Sequence, residues 1–95
     1  MEVRVDPQPI NAGDIVKVTY SGLLAKSGAA EIYLHAGVAK QHQWSNTSDI
    51  KMENRSGIWT ANLQVQEGET FDFCFKDSAN NWDNNNGYNW SYNIF

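Results

Sequence analysis

Apolar and polar residues alternate with a period of two along most of this chain, in short segments set apart by Gly, Asn and Ser clusters. The clusters recur at intervals of roughly 8 to 15 residues, and no stretch of helical length holds an apolar period near 3.6, so the pattern predicts strands throughout. They are expected near Val3–Val5, Asp14–Tyr20, Ala30–His35, Asp49–Met52, Ile58–Val65, Thr70–Lys76 and Tyr88–Ile94. Between them Asn11–Gly13, Lys26–Gly28, Asn54–Gly57, Glu67–Gly68 and Asn86–Gly87 supply residues that tolerate left-handed backbone. Pro7 and Pro9 fall between the first two segments, where a missing N–H harms no ladder. About seven short antiparallel strands suit an all-β, immunoglobulin-like β-sandwich.

The same period sorts the aromatic residues, because residues i and i+2 share a face and one face of each strand meets the core. Trp59, Ala61, Leu63 and Val65 form one apolar phase, and Phe71, Phe73 and Phe75 another, which puts Cys74 on the opposite side of its strand. Tyr88, Trp90, Tyr92 and Ile94 alternate with Asn89, Ser91 and Asn93. Trp59 and Trp90 are thus expected in the core. Trp44 and Trp82 have no alternating apolar neighbours and are expected in polar loops. The plain alternative for either is an indole folded back over an end of the sandwich. In Glu31–Ala36 the inner phase is Ile32, Leu34 and Ala36, so Tyr33 and His35 face solvent.

Composition narrows the chemistry. Ninety-five residues suffice for one domain and leave no room for a second, so residues 1–95 are read as a single module. Seven Lys and Arg against 11 Asp and Glu give a net charge of −4, the wrong sign for neutralising phosphates, so no nucleic-acid partner is expected. Apolar runs are a few residues long, and no membrane span is expected. A single Cys excludes an intramolecular disulfide. The first residues lack an apolar signal core, so the chain is either an intracellular protein or a module cut from a longer secreted one; its location is cytoplasmic in the first case and extracellular in the second. The surplus lies in four Trp and 11 Asn, seven of the Asn between Asn80 and Asn93.

An exposed indole in water matches nucleobases, apolar side chains or the C–H faces of sugar rings. The loops around Trp44 and Trp82 hold neutral Asn, Gln and Ser with Asp77 and Asp83. That favours sugars over a nucleic acid, since an amide grips adjacent hydroxyls without charge. Glycoside hydrolysis needs two carboxyl groups flanking a cleft, and the acids here are scattered; no Gly-x-Ser-x-Gly elbow is present, so no enzyme is expected. Residues Asp77–Gly87 are dense in oxygen ligands but fail the helix–loop–helix calcium register, because Gly87 falls at the fifth place from Asp83. No cofactor is expected; a weak calcium site through Asp77 and Asp83, or a metal held by His35 and His42 with one of those Asp, stays open. Most of the clustered Asn are expected to brace the loop.

The string FCFKDSANNWDNNNGYNW, with YSGLLAKSG and IYLHAG upstream, resembles the family 25 starch-binding carbohydrate-binding modules and their plant starch-synthase relatives. The resemblance implies a non-catalytic immunoglobulin-like sandwich that binds α-1,4-glucans such as starch, glycogen and malto-oligosaccharides. It also implies a sugar platform of His35, Trp44 and Trp82, with Asn84 bonding hydroxyls. The segment Ala39–Gln43 departs from the family in being longer and more polar. Tyr33, Lys76 and Asp77 are further candidates, being on the same outer phase or at the same loop mouth. Such a module is expected to be monomeric and to work tethered to a catalytic domain. The reading from another class is a fibronectin-like protein-interaction domain whose interface would be Trp44 and Trp82.

Overall fold

The inward halves of the alternating segments meet between two antiparallel sheets. The computed structural model describes residues 2–95, and among them are nine strands and one four-residue helix. The strands are β1 (Val3–Asp6), β2 (Ile15–Tyr20), β3 (Ile32–Lys40), β4 (Gln43–Lys51), β5 (Glu53–Arg55), β6 (Ile58–Gln64), β7 (Thr70–Asp77), β8 (Trp82–Asp83) and β9 (Trp90–Asn93); α1 spans Leu23–Lys26. One sheet has the order β1-β2-β6-β5; in the other, β4-β3-β7-β8, β9 also pairs with β7. The fold is an all-β sandwich, as expected. Among the described residues no helix is long and apolar enough to cross a membrane.

Val3, Val5, Val16, Val18, Tyr20, Trp59 and Ala61 point inward from the first sheet. Ile32, Leu34, Ala36, Val38, Phe71, Phe73 and Phe75 meet them from the second, all 3% exposed or less. Tyr20 and Phe75 stack across the gap with ring centroids 3.9 Å apart. The Tyr20 hydroxyl is satisfied inside the core: it donates to Asp83 Oδ2 at 2.6 Å and accepts from the Leu24 N–H at 3.0 Å. Burial first, and the hydrogen bond to the Asp83 carboxylate second, hold its pKa far above that of a free phenol. One buried side chain thus joins the first sheet to α1 and β8.

Three expectations need correction. β3 continues to Lys40 and turns directly into β4, so Trp44 lies on a strand rather than in a loop. β4 is an edge strand whose sequence QWSNTSDIK is exposed at most positions, so it carries no apolar alternation for a period-two reading to detect. Trp82 likewise pairs with Lys76 in β8. Tyr88, expected on the inner phase, is 83% exposed, and the last strand starts at Trp90. The cause lies in the pairing: Phe75 opposes Asp83 and Phe73 opposes Trp90, so β8 and β9 are two halves of one edge strand interrupted by residues 84–89. Trp90 and Tyr92 resume the inward phase, half-buried against Phe73.

Asparagine explains how that excursion holds its shape. Asn80, Asn85, Asn86 and Asn89 have positive φ, which Asn tolerates better than most residues. The excursion closes on itself, with the Asn89 N–H donating to the Asn84 carbonyl at 2.8 Å. Asn85 Nδ2 donates back to the Asn89 carbonyl at 3.1 Å. Most of the clustered Asn thus brace the loop, through left-handed backbone at these four and through side-chain hydrogen bonds from Asn81, Asn84 and Asn85.

Candidate binding site

The outward face of the β4-β3-β7-β8 sheet gathers most of the side chains singled out by the sequence. Along β3 the outward phase is Tyr33, His35, Gly37 and Ala39. On β7 it is Asp72, Cys74 and Lys76, with His35 directly opposite Cys74 and Tyr33 opposite Lys76. From β4, Asp49 opposes His35 and Trp44 opposes Ala39.

Trp44 and Asp49 are five residues apart, an odd spacing that would put them on opposite faces of a regular strand. They share a face because β4 carries one extra residue. Ala36 pairs with Ser48 and Val38 with Ser45, so Asn46 and Thr47 together oppose Gly37, with Asn46 at φ 52°. A bulge of this kind reverses the alternation beyond it. It requires Gly37: a Cβ there would lie 2.9 Å from the Ser45 carbonyl oxygen and from Thr47 Cγ2, and 3.4 Å from Trp44 Cε3. Gly37→Ala is therefore expected to cost about 1–3 kcal/mol through overpacking and to shift the Trp44 indole. Thermal unfolding with near-ultraviolet circular dichroism checks this; an unchanged midpoint and spectrum would show that the bulge tolerates a side chain.

The rings form a stepped surface. His35 and Trp44 lie nearly parallel, with planes 22° apart and centroids separated by 5.8 Å. Trp82 meets His35 edge to face at 90° and 5.4 Å. The two indoles are thus steeply inclined to one another, with the imidazole between them. Trp82 reaches His35 although β7 runs between their strands, so its indole lies across β7, the strand on which Cys74 faces outward. Cys74 is only 5% exposed, and burial pushes its thiol up to about 11. Trp82 itself remains 46% exposed.

A single carboxylate, that of Asp49, organises the polar groups among the rings. It accepts from Lys76 Nζ at 2.7 Å on Oδ2 and meets His35 Nδ1 at 2.5 Å on Oδ1. A carboxylate can only accept, so Nδ1 carries the proton, and in the neutral tautomer Nε2 is the acceptor. The Lys76 ammonium also lies 5.4 Å from the Trp82 ring centroid, within cation–π reach. Lys76 first, then His35, hold the Asp49 pKa below its ordinary 3.8. A depressed carboxylate value means that these contacts are complete above pH 3.8 and are lost as acid titrates Asp49 below it. The sequence reading missed Asp49, because a lone acid on a polar strand looks like any solvated residue until register places it opposite His35.

Other candidates sit differently. Tyr33 is half-buried, its hydroxyl donating to Glu31 at 3.1 Å. Asp77 spends its carboxylate on its own turn, accepting from the Ala79 N–H at 2.9 Å, the Asn81 N–H at 2.8 Å and Asn81 Nδ2 at 3.0 Å. Those bonds, the Asn81 side chain first, lower its pKa. Asn84 is exposed and its Oδ1 accepts from the Gly87 N–H at 3.0 Å, which engages its carbonyl in a turn. Asp83, the other member of the candidate calcium pair, is taken up by Tyr20. His42 lies at the β3–β4 turn, at the opposite end of β3 from Asp77, which pairs with Ile32. Among the described residues no three His, Cys, Asp or Glu side chains are grouped to hold a metal.

Residues 16–73 match the family model described as starch/carbohydrate-binding module (family 53). No curated protein and no solved structure matches the chain. The match covers His35, Trp44 and Asp49 and ends before Lys76, Trp82 and Asn84. It agrees with the starch-binding character implied by the resemblance, and the family it names is 53 rather than 25.

Proposed function

The chain belongs to the starch/carbohydrate-binding modules of family 53, and from that membership we propose that it holds α-1,4-glucans on the Trp44–His35–Trp82 surface. Membership makes it a non-catalytic carbohydrate-binding domain and does not favour the fibronectin-like protein-interaction reading. The observation that carries the finer reading is the pair of steeply inclined indoles with His35 between them, on the open face of a sheet. Two inclined planes suit successive sugar rings of a curved chain, whereas a flat ribbon such as cellulose would ask for coplanar rings. The C–H faces of glucose stack on the indoles, and hydroxyls at the ring edges meet His35 Nε2 and the Lys76 ammonium. The Asn84 amide, whose Nδ2 is available for a hydroxyl, completes the edge in the family 25 resemblance, whose Lys76–Trp90 block lies beyond the matched residues.

Affinity on so open a surface is modest, since few polar contacts are enclosed. Such a module gains most when tethered to a catalytic domain, where effective concentration multiplies weak binding and targets the enzyme to polysaccharide. No metal is needed by this mechanism. Titration with maltoheptaose is expected to change tryptophan fluorescence equally with and without EDTA, and the module is expected to be retarded in an amylopectin gel. No fluorescence change in either condition, together with no retardation, would overturn the α-glucan reading.

A further inference from the structure

Beyond His35 the outward face of β3 continues to Tyr33, and there the surface opens into a shallow cleft of about 270 Å³. It is lined by Tyr33, Asp49, Lys76, Asp77, Ser78 and Asn80. Two of these, Asp49 and Lys76, also belong to the ring surface, so the cleft and the platform share a wall. Along β3 the order is Trp44 beside Ala39, then His35, then Tyr33, and Trp82 pairs with Lys76, which opposes Tyr33, so the cleft borders the ring surface at its Trp82 end.

Its chemistry is that of a sugar subsite. Tyr33 offers an aromatic wall. The loop opposite is held in advance by the three hydrogen bonds to the Asp77 carboxylate and by the left-handed Asn80. Ser78 Oγ and the Asn80 amide make no side-chain hydrogen bond among the described residues, and both are exposed, so their donors and acceptors are free for ligand hydroxyls. The charges do not suit an ion. Lys76 is neutralised by Asp49, and the Asp77 oxygens already receive three N–H groups.

We propose that this cleft is a further subsite for a neutral glucosyl unit, taking the residue that follows the one stacked on Trp82 in the same chain. The proposal rests on the α-glucan reading above and adds to it a dependence on chain length. A ligand too short to span from the rings to the cleft gains nothing from it; a longer one gains the contacts of Tyr33, Ser78 and Asn80.

Calorimetric titration with the series from maltotriose to maltoheptaose tests it, using the wild type, Tyr33→Ala and Ser78→Ala. Ser78 is exposed in its loop, so this variant keeps the test open if Tyr33→Ala fails to fold. The wild type is expected to bind the longest ligand more tightly than the shortest by about fivefold or more, one or two hydrogen bonds' worth. Both variants are expected to lose much of that increment while binding maltotriose within twofold of wild type. Equal losses at every length, or an undiminished increment in both variants, would overturn the cleft and leave the platform standing. Absence of wild-type binding at any length would overturn the α-glucan reading and the cleft with it.

Discussion

Trp82→Ala is expected to abolish retardation of the module in an amylopectin gel while leaving its fold intact. Under the proposed mechanism the indole is one of two stacking planes, and removal of such an anchor at an exposed interface costs about 2 kcal/mol or more, roughly 30-fold in affinity. An already modest affinity would fall below what a gel records. The stability side of the argument comes from exposure. Trp82 is 46% exposed, and the groups it meets, the His35 ring and the Lys76 ammonium, stand on the outward face of the sheet and not in the core. Loss of this partly exposed cation–π contact forfeits about 1 kcal/mol, which leaves the thermal midpoint within several degrees of wild type.

The same variant carries an internal check on geometry. Because the indole lies across β7, on which Cys74 faces outward, truncation is expected to uncover that thiol, which is otherwise 5% exposed and raised to about 11 by burial. A thiol-reactive probe is expected to label native Trp82→Ala much faster than native wild type, as exposure lowers the thiol pKa and opens access. Unchanged labelling would mean that something other than Trp82 covers Cys74. Retained glucan binding would remove Trp82 from the platform whatever the labelling shows.

The division into core and surface was legible wherever a strand buries one face and wets the other. Trp59, Phe71, Phe73 and Phe75 all lie where the period of two puts them, and Tyr33 and His35 face outward as their phase requires. It was not legible in β4, where an edge strand polar on both faces shows no phase, and where the extra residue opposite Gly37 shifts Trp44 onto the face of Asp49. Nor could local pattern place Tyr88, since the six-residue excursion 84–89 resets the register between β8 and β9. Asp49 depended on the register of the β3–β4 hairpin across 14 positions, shifted by one extra residue, which the period of two does not reveal. The ring residues could be singled out because each looked misplaced; what holds them in place is long-range register.

Trp59→Ala is expected to do the reverse of Trp82→Ala. Trp59 is 5% exposed on β6, opposite Tyr20 of β2 and Asn54 of β5, so it sits where the first sheet is covered on both sides by paired strands. Truncating a core Trp to Ala removes its transfer free energy and leaves a cavity that its neighbours fill only in part, a loss of about 3–5 kcal/mol. Domains of this size hold about 5–15 kcal/mol in all, so the variant forfeits a large part of its stability, and its thermal midpoint should fall by roughly 12 °C or more. The rings of the platform stand on the outward face of the other sheet, stacked on one another and on Lys76 and not on Trp59. Where the variant remains folded, at low temperature, glucan retention should therefore match wild type. Equal destabilisation by Trp59→Ala and Trp82→Ala would show that both indoles belong to the core, and the sugar-stacking surface would then lose one of its two planes.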